Sequence, residues 1–121
     1  MRASGGTLVT MTYHGAHAVI PNYGLMGPVK AALEAAVRYL AVELGPSIRV
    51  HAVSPGPLET RAASGLKEFG RLLEAARERA PARRTVSAEE VGQAVAFLCS
   101  PYAKLITGET LYVDGGYSLL G

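Results

Sequence analysis

Several features that mark particular protein classes are missing from this sequence. It has no tryptophan and one cysteine, Cys99, so it cannot form an internal disulfide framework, which suits a reducing cytoplasm. It has no run of about 18 apolar residues, which excludes a membrane span, and residues 1–15 lack the apolar core of a signal peptide. We therefore expect a cytoplasmic protein. Because Cys99 lies in the apolar run AVAFLCS, we expect a buried structural thiol rather than a nucleophile.

A strong excess of charge is also missing. The net charge is +2, which is too small to indicate a nucleic-acid partner. The three histidines, His14, His17 and His51, have no metal-ligand spacing with a fourth group, so we assign no metal. His51 lies in an apolar run, where we expect a packed ring.

What is present is a globular composition with three strand-like runs. The 121 residues are 49% hydrophobic, which is enough for a single domain covering the whole chain. Strands are predicted at residues 6–12, 48–54 and 109–113. The first is too apolar to have one wet face, so we expect a sheet that is covered on both sides.

Helical patterns fill the gaps between these strands. Apolar spacing predicts helices at residues 23–44 and 66–80. A capping box, Ser87 with Glu90 three residues on, opens a third helix that runs to about Cys99. The order is strand-helix-strand-helix-helix-strand, which favours an α/β fold with a parallel sheet.

The helix at residues 23–44 has an unusual stripe. Its members recur at steps of three and four: Tyr23, Met26, Lys30, Leu33, Val37, Leu40 and Leu44. Lys30 lies within about 20° of Tyr23 and about 10 Å further along the axis. A cation near a phenol favours the phenolate and makes the hydroxyl a better proton donor. The alternative to a catalytic pair is that the stripe extends beyond the core, with Tyr23 and Lys30 placing their polar ends in solvent.

Together with the PGP turn at residues 55–57 and the closing YVDGGYS, this Tyr-x6-Lys pair resembles the C-terminal half of a short-chain dehydrogenase/reductase. More narrowly, the chain is similar to the bacterial enoyl-[acyl-carrier-protein] reductases. Most of the wider family spaces its tyrosine and lysine by three, whereas this subfamily spaces them by six and has a second tyrosine where Tyr13 stands. The segments IPNYGLMG and PARRTVSAEEVG also resemble that subfamily. These features speak against a 3-oxoacyl or steroid reductase.

The resemblance implies a fold and a reaction. The fold would be the C-terminal half of a Rossmann-like doubly wound sheet, and the reaction would be hydride transfer from NADH or NADPH to a trans-2-enoyl thioester in fatty acid biosynthesis. Tyr23 would be the proton donor and oxyanion stabiliser, and Lys30 would hold the nicotinamide ribose. Tyr13 would line the same pocket, unless it only closes a loop over the core.

The resemblance also assigns cofactor and partner contacts. Leu58 would contact the nicotinamide amide through its backbone, and the pyrophosphate would lie beside Glu59, Thr60, Arg61 and Ala62. Alternatively, this is an ordinary Pro-Gly loop. Lys67 and Arg71 would meet the acidic carrier protein, although a solvated charged face explains them equally well. A homo-oligomer is expected.

Three departures from the family pattern raise an alternative. The N-terminal dinucleotide-binding half, with its glycine-rich turn, is missing, so one sheet edge should be open to association. Pro28 should kink the helix between Tyr23 and Lys30 if that helix begins near residue 22. Glu59 places an acid beside a pyrophosphate. The alternative is a non-catalytic, truncated half-domain that only self-associates or pairs with a partner.

Overall fold

The computed structural model describes residues 4–20, 23–58 and 69–120. Within them the chain forms β1 (Gly6–Met11), α1 (Met26–Leu44), β2 (Ile48–Pro55), α2 (Phe69–Arg79), α3 (Ala88–Cys99) and β3 (Thr110–Val113). Short 3-10 helices follow β1, α3 and β3, at His14–Ala16, Pro101–Ala103 and Tyr117–Leu120. The predicted order of strands and helices, and with it the α/β class, is confirmed.

The three strands form one parallel sheet in the order β1-β2-β3. Gly6 to Met11 pair with Ile48 to Val53, and Ala52 to Pro55 pair with Thr110 to Val113. β2 is therefore central, which explains why most of its residues are buried. Strands that neighbour one another in chain order are the pattern of one half of a doubly wound sheet.

Helices pack on both faces of the sheet, as the apolar sequence of β1 predicted. On one face α1 packs Val37 and Ala41 against β2. On the other face α3 packs Val91 and Leu98 against Val53 of β2. β1 is less completely covered, because its Leu8 and Met11 remain 40% and 41% exposed. Its outer edge pairs with no strand in the described part of the chain, so the expected open edge is present there.

The start of α1 differs from the prediction. The helix begins at Met26 rather than Tyr23, and the preceding residues form a turn in which the Met26 amide donates to the Tyr23 carbonyl (3.2 Å). Pro28 is thus the third helical residue, where a backbone N–H has no intrahelical acceptor to lose. The predicted kink depended on a helix that begins near residue 22, and α1 does not meet that condition.

The buried face of α1 is also rotated from the predicted stripe. Its buried residues are Glu34, Val37 and Ala41, whereas Leu40 of the stripe is 42% exposed. Apolar spacing missed this face because it includes a carboxylate, which is buried only where hydrogen bonds satisfy it.

The capping box of α3 is confirmed. The Glu90 amide donates to Ser87 Oγ (3.1 Å), and the Ser87 amide donates to Glu90 Oε1 (3.0 Å). At the other end of the helix, the prediction of a buried Cys99 was wrong, because its side chain is exposed. Leu98 occupies the inner face, and the next residue lies about 100° away around the helix.

Candidate active site

The candidate site lies at the carboxyl ends of β1 and β2, the edge where parallel sheets bind ligands. Tyr13 follows β1 by two residues and leads into the 3-10 helix His14–Ala16. Tyr23 stands in the turn before α1, and Lys30 lies in the second turn of that helix.

The two predicted tyrosines are brought together. The rings of Tyr13 and Tyr23 have centroids 5.4 Å apart and an interplanar angle of 62°, which is an edge-to-face contact. Gly15 makes room for this contact, because a Cβ atom there would lie 2.6 Å from the Tyr23 ring. The Tyr13 hydroxyl is buried and has no hydrogen-bond partner among the described residues.

Burial changes the pKa of both phenols in the same direction. It raises the pKa of Tyr13 well above its usual range, and the nearby Tyr117, Tyr23 and Asp114 add to the rise. Burial likewise raises the pKa of Tyr23. From the sequence we expected Lys30 to lower the pKa of Tyr23, and that expectation was wrong. The loss of hydration on burial disfavours the charged phenolate, and this effect is the larger one. Both groups are therefore neutral hydroxyls, able to donate a hydrogen bond, at neutral pH.

Lys30 is attached to the same segment as the tyrosine pair. Its Nζ donates to the carbonyl oxygen of Met11 (3.1 Å) at the end of β1. Tyr23 contacts Tyr13, which follows Met11 by two residues. Tyr23 and Lys30 thus contact neighbouring positions of the segment that leaves β1.

The proline-glycine turn after β2 has close backbone packing. The Gly56 amide donates to the Val113 carbonyl (3.0 Å), and a Cβ atom at Gly56 would lie 3.0 Å from Asp114 Cβ. Leu58 packs its side chain against the core cluster under α3. The other predicted cofactor contacts of this turn lie outside the described residues; they are Glu59, Thr60, Arg61 and Ala62. Lys67, a predicted carrier-protein contact, also lies outside them. Arg71 is exposed on α2.

Sequence reasoning missed His14. Its side chain is buried, at 7% exposure, and its ring lies edge-on to Tyr13 (5.2 Å) and to Tyr117 (5.6 Å). Burial is the main reason that the pKa of His14 is lowered, so the ring is neutral at pH 7. Four rings thus run in a row from Tyr23 through Tyr13 and His14 to Tyr117. No local pattern reveals this row, because Tyr117 lies about 100 residues away in the chain.

Sequence reasoning also missed Glu34, which is 2% exposed on α1. It accepts a hydrogen bond from Thr12 Oγ1 (2.6 Å) and pairs with His17 Nε2 (2.7 Å). No local pattern reveals its burial, because a glutamate four residues from a lysine is also the usual pattern of a solvent-exposed helix face.

Two open cavities flank the ring row. One, of about 400 Å³, is lined by Tyr23, Gly27 and Pro28 with residues 15–20. The other, of about 570 Å³, is lined by His14, His17, Tyr112 and Asp114 among others. No group of three or more metal-ligating side chains occurs in residues 4–20, 23–58 or 69–120. The helices in those ranges are too short or too polar to cross a bilayer.

The sequence matches a family model described as Enoyl-(Acyl carrier protein) reductase over residues 1–118. Similar curated proteins include the enoyl-[acyl-carrier-protein] reductase [NADH] FabI of Bacillus subtilis, 48% identical over 120 residues, which is 98% of this chain and 46% of the relative. The protein of that name from Escherichia coli is 50% identical over 116 residues, or 95% of this chain and 44% of the relative.

Solved structures show the same likeness. The Bacillus cereus enoyl-acyl carrier protein reductase with NADP+ and indole naphthyridinone has a TM-score of 0.93 and 49% identity, covering 97% of this chain and 46% of that one. The Anaplasma phagocytophilum enzyme in complex with NAD has a TM-score of 0.92 and 45% identity, covering 99% and 46%. The chain thus spans about half the length of the relatives that it matches.

Proposed function

Because this chain belongs to the enoyl-(acyl carrier protein) reductase family, we propose that it forms the catalytic half of an NADH- or NADPH-dependent reductase. The substrate would be a trans-2-enoyl thioester on acyl carrier protein, in fatty acid biosynthesis. The observation that carries this proposal is the Tyr13–Tyr23 contact beside Lys30 at one sheet edge. We also propose a cytoplasmic homo-oligomer, with Lys67 and Arg71 contacting the carrier protein.

Tyr23 supplies the acid of the reaction. As a neutral hydroxyl it donates a hydrogen bond to the thioester carbonyl oxygen, where negative charge develops as the double bond is reduced. A phenol is protonated at neutral pH and burial raises the pKa of Tyr23 further, so the group stays a hydroxyl that can donate this hydrogen bond. Tyr13, in edge contact with Tyr23, lines the same pocket and limits where the substrate carbonyl can lie.

Lys30 and the turn after β2 are the groups that fit a nicotinamide cofactor. An ammonium has three donor hydrogens, and the bond to Met11 uses one, so Lys30 retains donors for a ribose diol. The side chain of Leu58 packs against the core, so the group that would hold the nicotinamide amide is its backbone. When bound, the cofactor supplies the hydride.

The experiment is a cofactor titration followed by a turnover assay. We expect the fluorescence of NADH to change as the full chain is added, and crotonyl thioester to be consumed with loss of reduced-cofactor absorbance. Tyr23→Phe should lower kcat by about 100-fold or more and leave the Kd for NADH within about twofold. Tyr39→Phe, an exposed tyrosine on α1, is the matched control. A fully active Tyr23→Phe protein would contradict the proposal.

A second candidate function comes from the open edge of the sheet. This chain covers 46% of its relative from Bacillus subtilis, and β1 leaves Leu8 and Met11 partly exposed. In this alternative the chain is a non-catalytic half-domain that survives by pairing with itself or with a partner. Absence of NADH binding and turnover, together with concentration-dependent association in sedimentation, would favour it.

A further inference from the structure

Glu34 is a buried carboxylate that connects three separate parts of the chain. It accepts hydrogen bonds from Thr12 Oγ1 (2.6 Å) and Thr110 Oγ1 (3.4 Å) and pairs with His17 Nε2 (2.7 Å). Taking a carboxylate out of water is costly unless such partners replace the lost hydration. We refer to Glu34, Thr12 and His17 as the Glu34 clamp.

The clamp lies directly beside the proposed catalytic lysine. Glu34 and Lys30 are four residues apart, so they share one face of α1. Lys30 Nζ bonds the carbonyl of Met11, and Glu34 bonds the side chain of the next residue, Thr12. Two side chains one helical turn apart therefore hold two consecutive residues at the end of β1.

The segment between the two ends of the clamp carries Tyr13 and His14. Thr12 precedes it and His17 follows it, and the 3-10 helix His14–Ala16 lies between them. We propose that Glu34 is a positioning residue that fixes residues 12–17 against α1 and so sets the position of Tyr13 beside Tyr23. The catalytic consequence rests on the proposed function, but the positioning itself does not.

The charge of Glu34 matters to this role. An ionised carboxylate only accepts hydrogen bonds, so one oxygen takes the Thr12 hydroxyl while the other takes the His17 ring N–H. A glutamine of the same size keeps one acceptor oxygen and replaces the other by an amide NH2, which the Thr12 hydroxyl can meet only by turning to accept. Glu34→Gln therefore replaces charge-assisted bonds by weaker neutral ones with little change in volume.

The experiment measures amide hydrogen exchange in the full chain. The amides of Ala16, His17 and Ala18 donate to carbonyls of Tyr13 and His14, and so report on the segment inside the clamp. In Glu34→Gln we expect them to exchange about tenfold faster or more, while the Val91 amide of α3, which donates to the Ser87 carbonyl, is unchanged. Glu43→Gln, an exposed glutamate on the same helix, should change neither.

Two further variants keep the test decisive if Glu34→Gln does not fold. Thr12→Val and His17→Asn each remove one bond of the clamp, and each should also speed exchange at Ala16, His17 or Ala18. Unchanged exchange in the folded variants would overturn the inference. An equal acceleration at Val91 would overturn it too, since that result means general destabilisation.

Kinetics separate this inference from the proposed function. If the chain reduces crotonyl thioester, Glu34→Gln should lower kcat by about 10- to 100-fold and leave the KM for NADH within about twofold. A raised KM for NADH with an unchanged kcat would contradict a role in positioning Tyr13. If the wild-type chain has no reductase activity but the exchange pattern appears, the proposed function fails and the positioning role stands.

Discussion

Single residues decide how closely the two tyrosines approach, and Gly15 is the smallest of them. A methyl group at Gly15 would lie 2.6 Å from the Tyr23 ring and 3.4 Å from Ile20. The ring therefore has to move if any side chain is placed there.

We expect Gly15→Ala to displace Tyr23 and to destabilise the fold by about 1–3 kcal/mol, because overpacked sites lose that much. The near-UV circular dichroism of tyrosine and urea unfolding would measure both effects. Gly92→Ala is the matched control, since no atom lies within 4 Å of its new methyl and it stands inside α3. That control should be neutral or slightly stabilising.

Two buried histidines make stability depend on pH. Burial is the first cause of the lowered pKa of both His14 and His51, from a usual value of 6.5. Below pH 6.5 the unfolded chain binds protons that the folded chain does not, so the free energy of unfolding falls as the pH falls. Each histidine contributes at most about 1.4 kcal/mol per pH unit.

Urea unfolding between pH 7.5 and 5 would measure this loss. His51 is the sharper probe, because it is fully buried and neither ring nitrogen has a hydrogen-bond partner among the described residues. We expect His51→Leu to flatten the pH profile, since it removes a titrating group. A profile as steep as that of the wild type would contradict the assignment.

Among the secondary-structure elements, α3 depends on a side chain from β2. Arg49 Nη1 donates to the carbonyls of Leu98 (2.6 Å) and Ala103 (2.7 Å). The last carbonyls of a helix have no intrahelical donor, so this guanidinium satisfies the end of α3 and ties it to the centre of the sheet.

We expect Arg49→Met to destabilise the protein by about 2 kcal/mol, the size of hydrogen bonds that involve a charged group. Arg38→Met, an exposed arginine on α1, should change the free energy of unfolding by less than about 0.5 kcal/mol. Urea unfolding at one pH distinguishes the two variants, and equal losses would show that the Arg49 contacts contribute little.

The elements also show how far the sequence could predict the structure. The α3 capping box was predictable because Ser87 and Glu90 are three residues apart and bond each other. The buried face of α1 was not predictable from its own sequence, since Glu34 is satisfied by Thr12 and Thr110, which come from distant segments. The start of α1 was placed too early because Tyr23 continues the helical spacing without helical hydrogen bonding.

The family resemblance identified more of the candidate site residues than helical spacing did. Tyr13, Tyr23 and Lys30 were named from motif positions, and their structural neighbourhood agrees with one shared site. The pKa direction of Tyr23 could not be foreseen, because burial depends on packing that a motif does not report. The roles of these three residues, and of Leu58, stay predictions.

At the scale of the whole molecule, the uncovered side of β1 is the surface from which we predict association. Its outer edge pairs with no strand in the described ranges, and Leu8 leaves apolar surface beside it. Such an edge is a template for pairing with another chain.

We therefore expect the isolated chain to sediment as more than a monomer, increasingly so at higher concentration. Leu8→Lys should shift it toward the monomer, because a charge next to an open edge opposes pairing. Leu105→Lys, which adds the same charge at an exposed site after α3, is the control. A monomeric wild type at all concentrations would contradict this expectation.

The order of the sheet has a consequence for biosynthesis. Each strand pairs with the one that precedes it in the chain, so β1, α1 and β2 can dock while β3 is still inside the ribosome. Thr12, His17 and Glu34 all precede β3 in the chain, so the hydrogen bond from Thr110 is the last of the Glu34 contacts that synthesis can supply. We therefore expect the contacts that tether the tyrosine-bearing loop to become available during translation before β3 emerges.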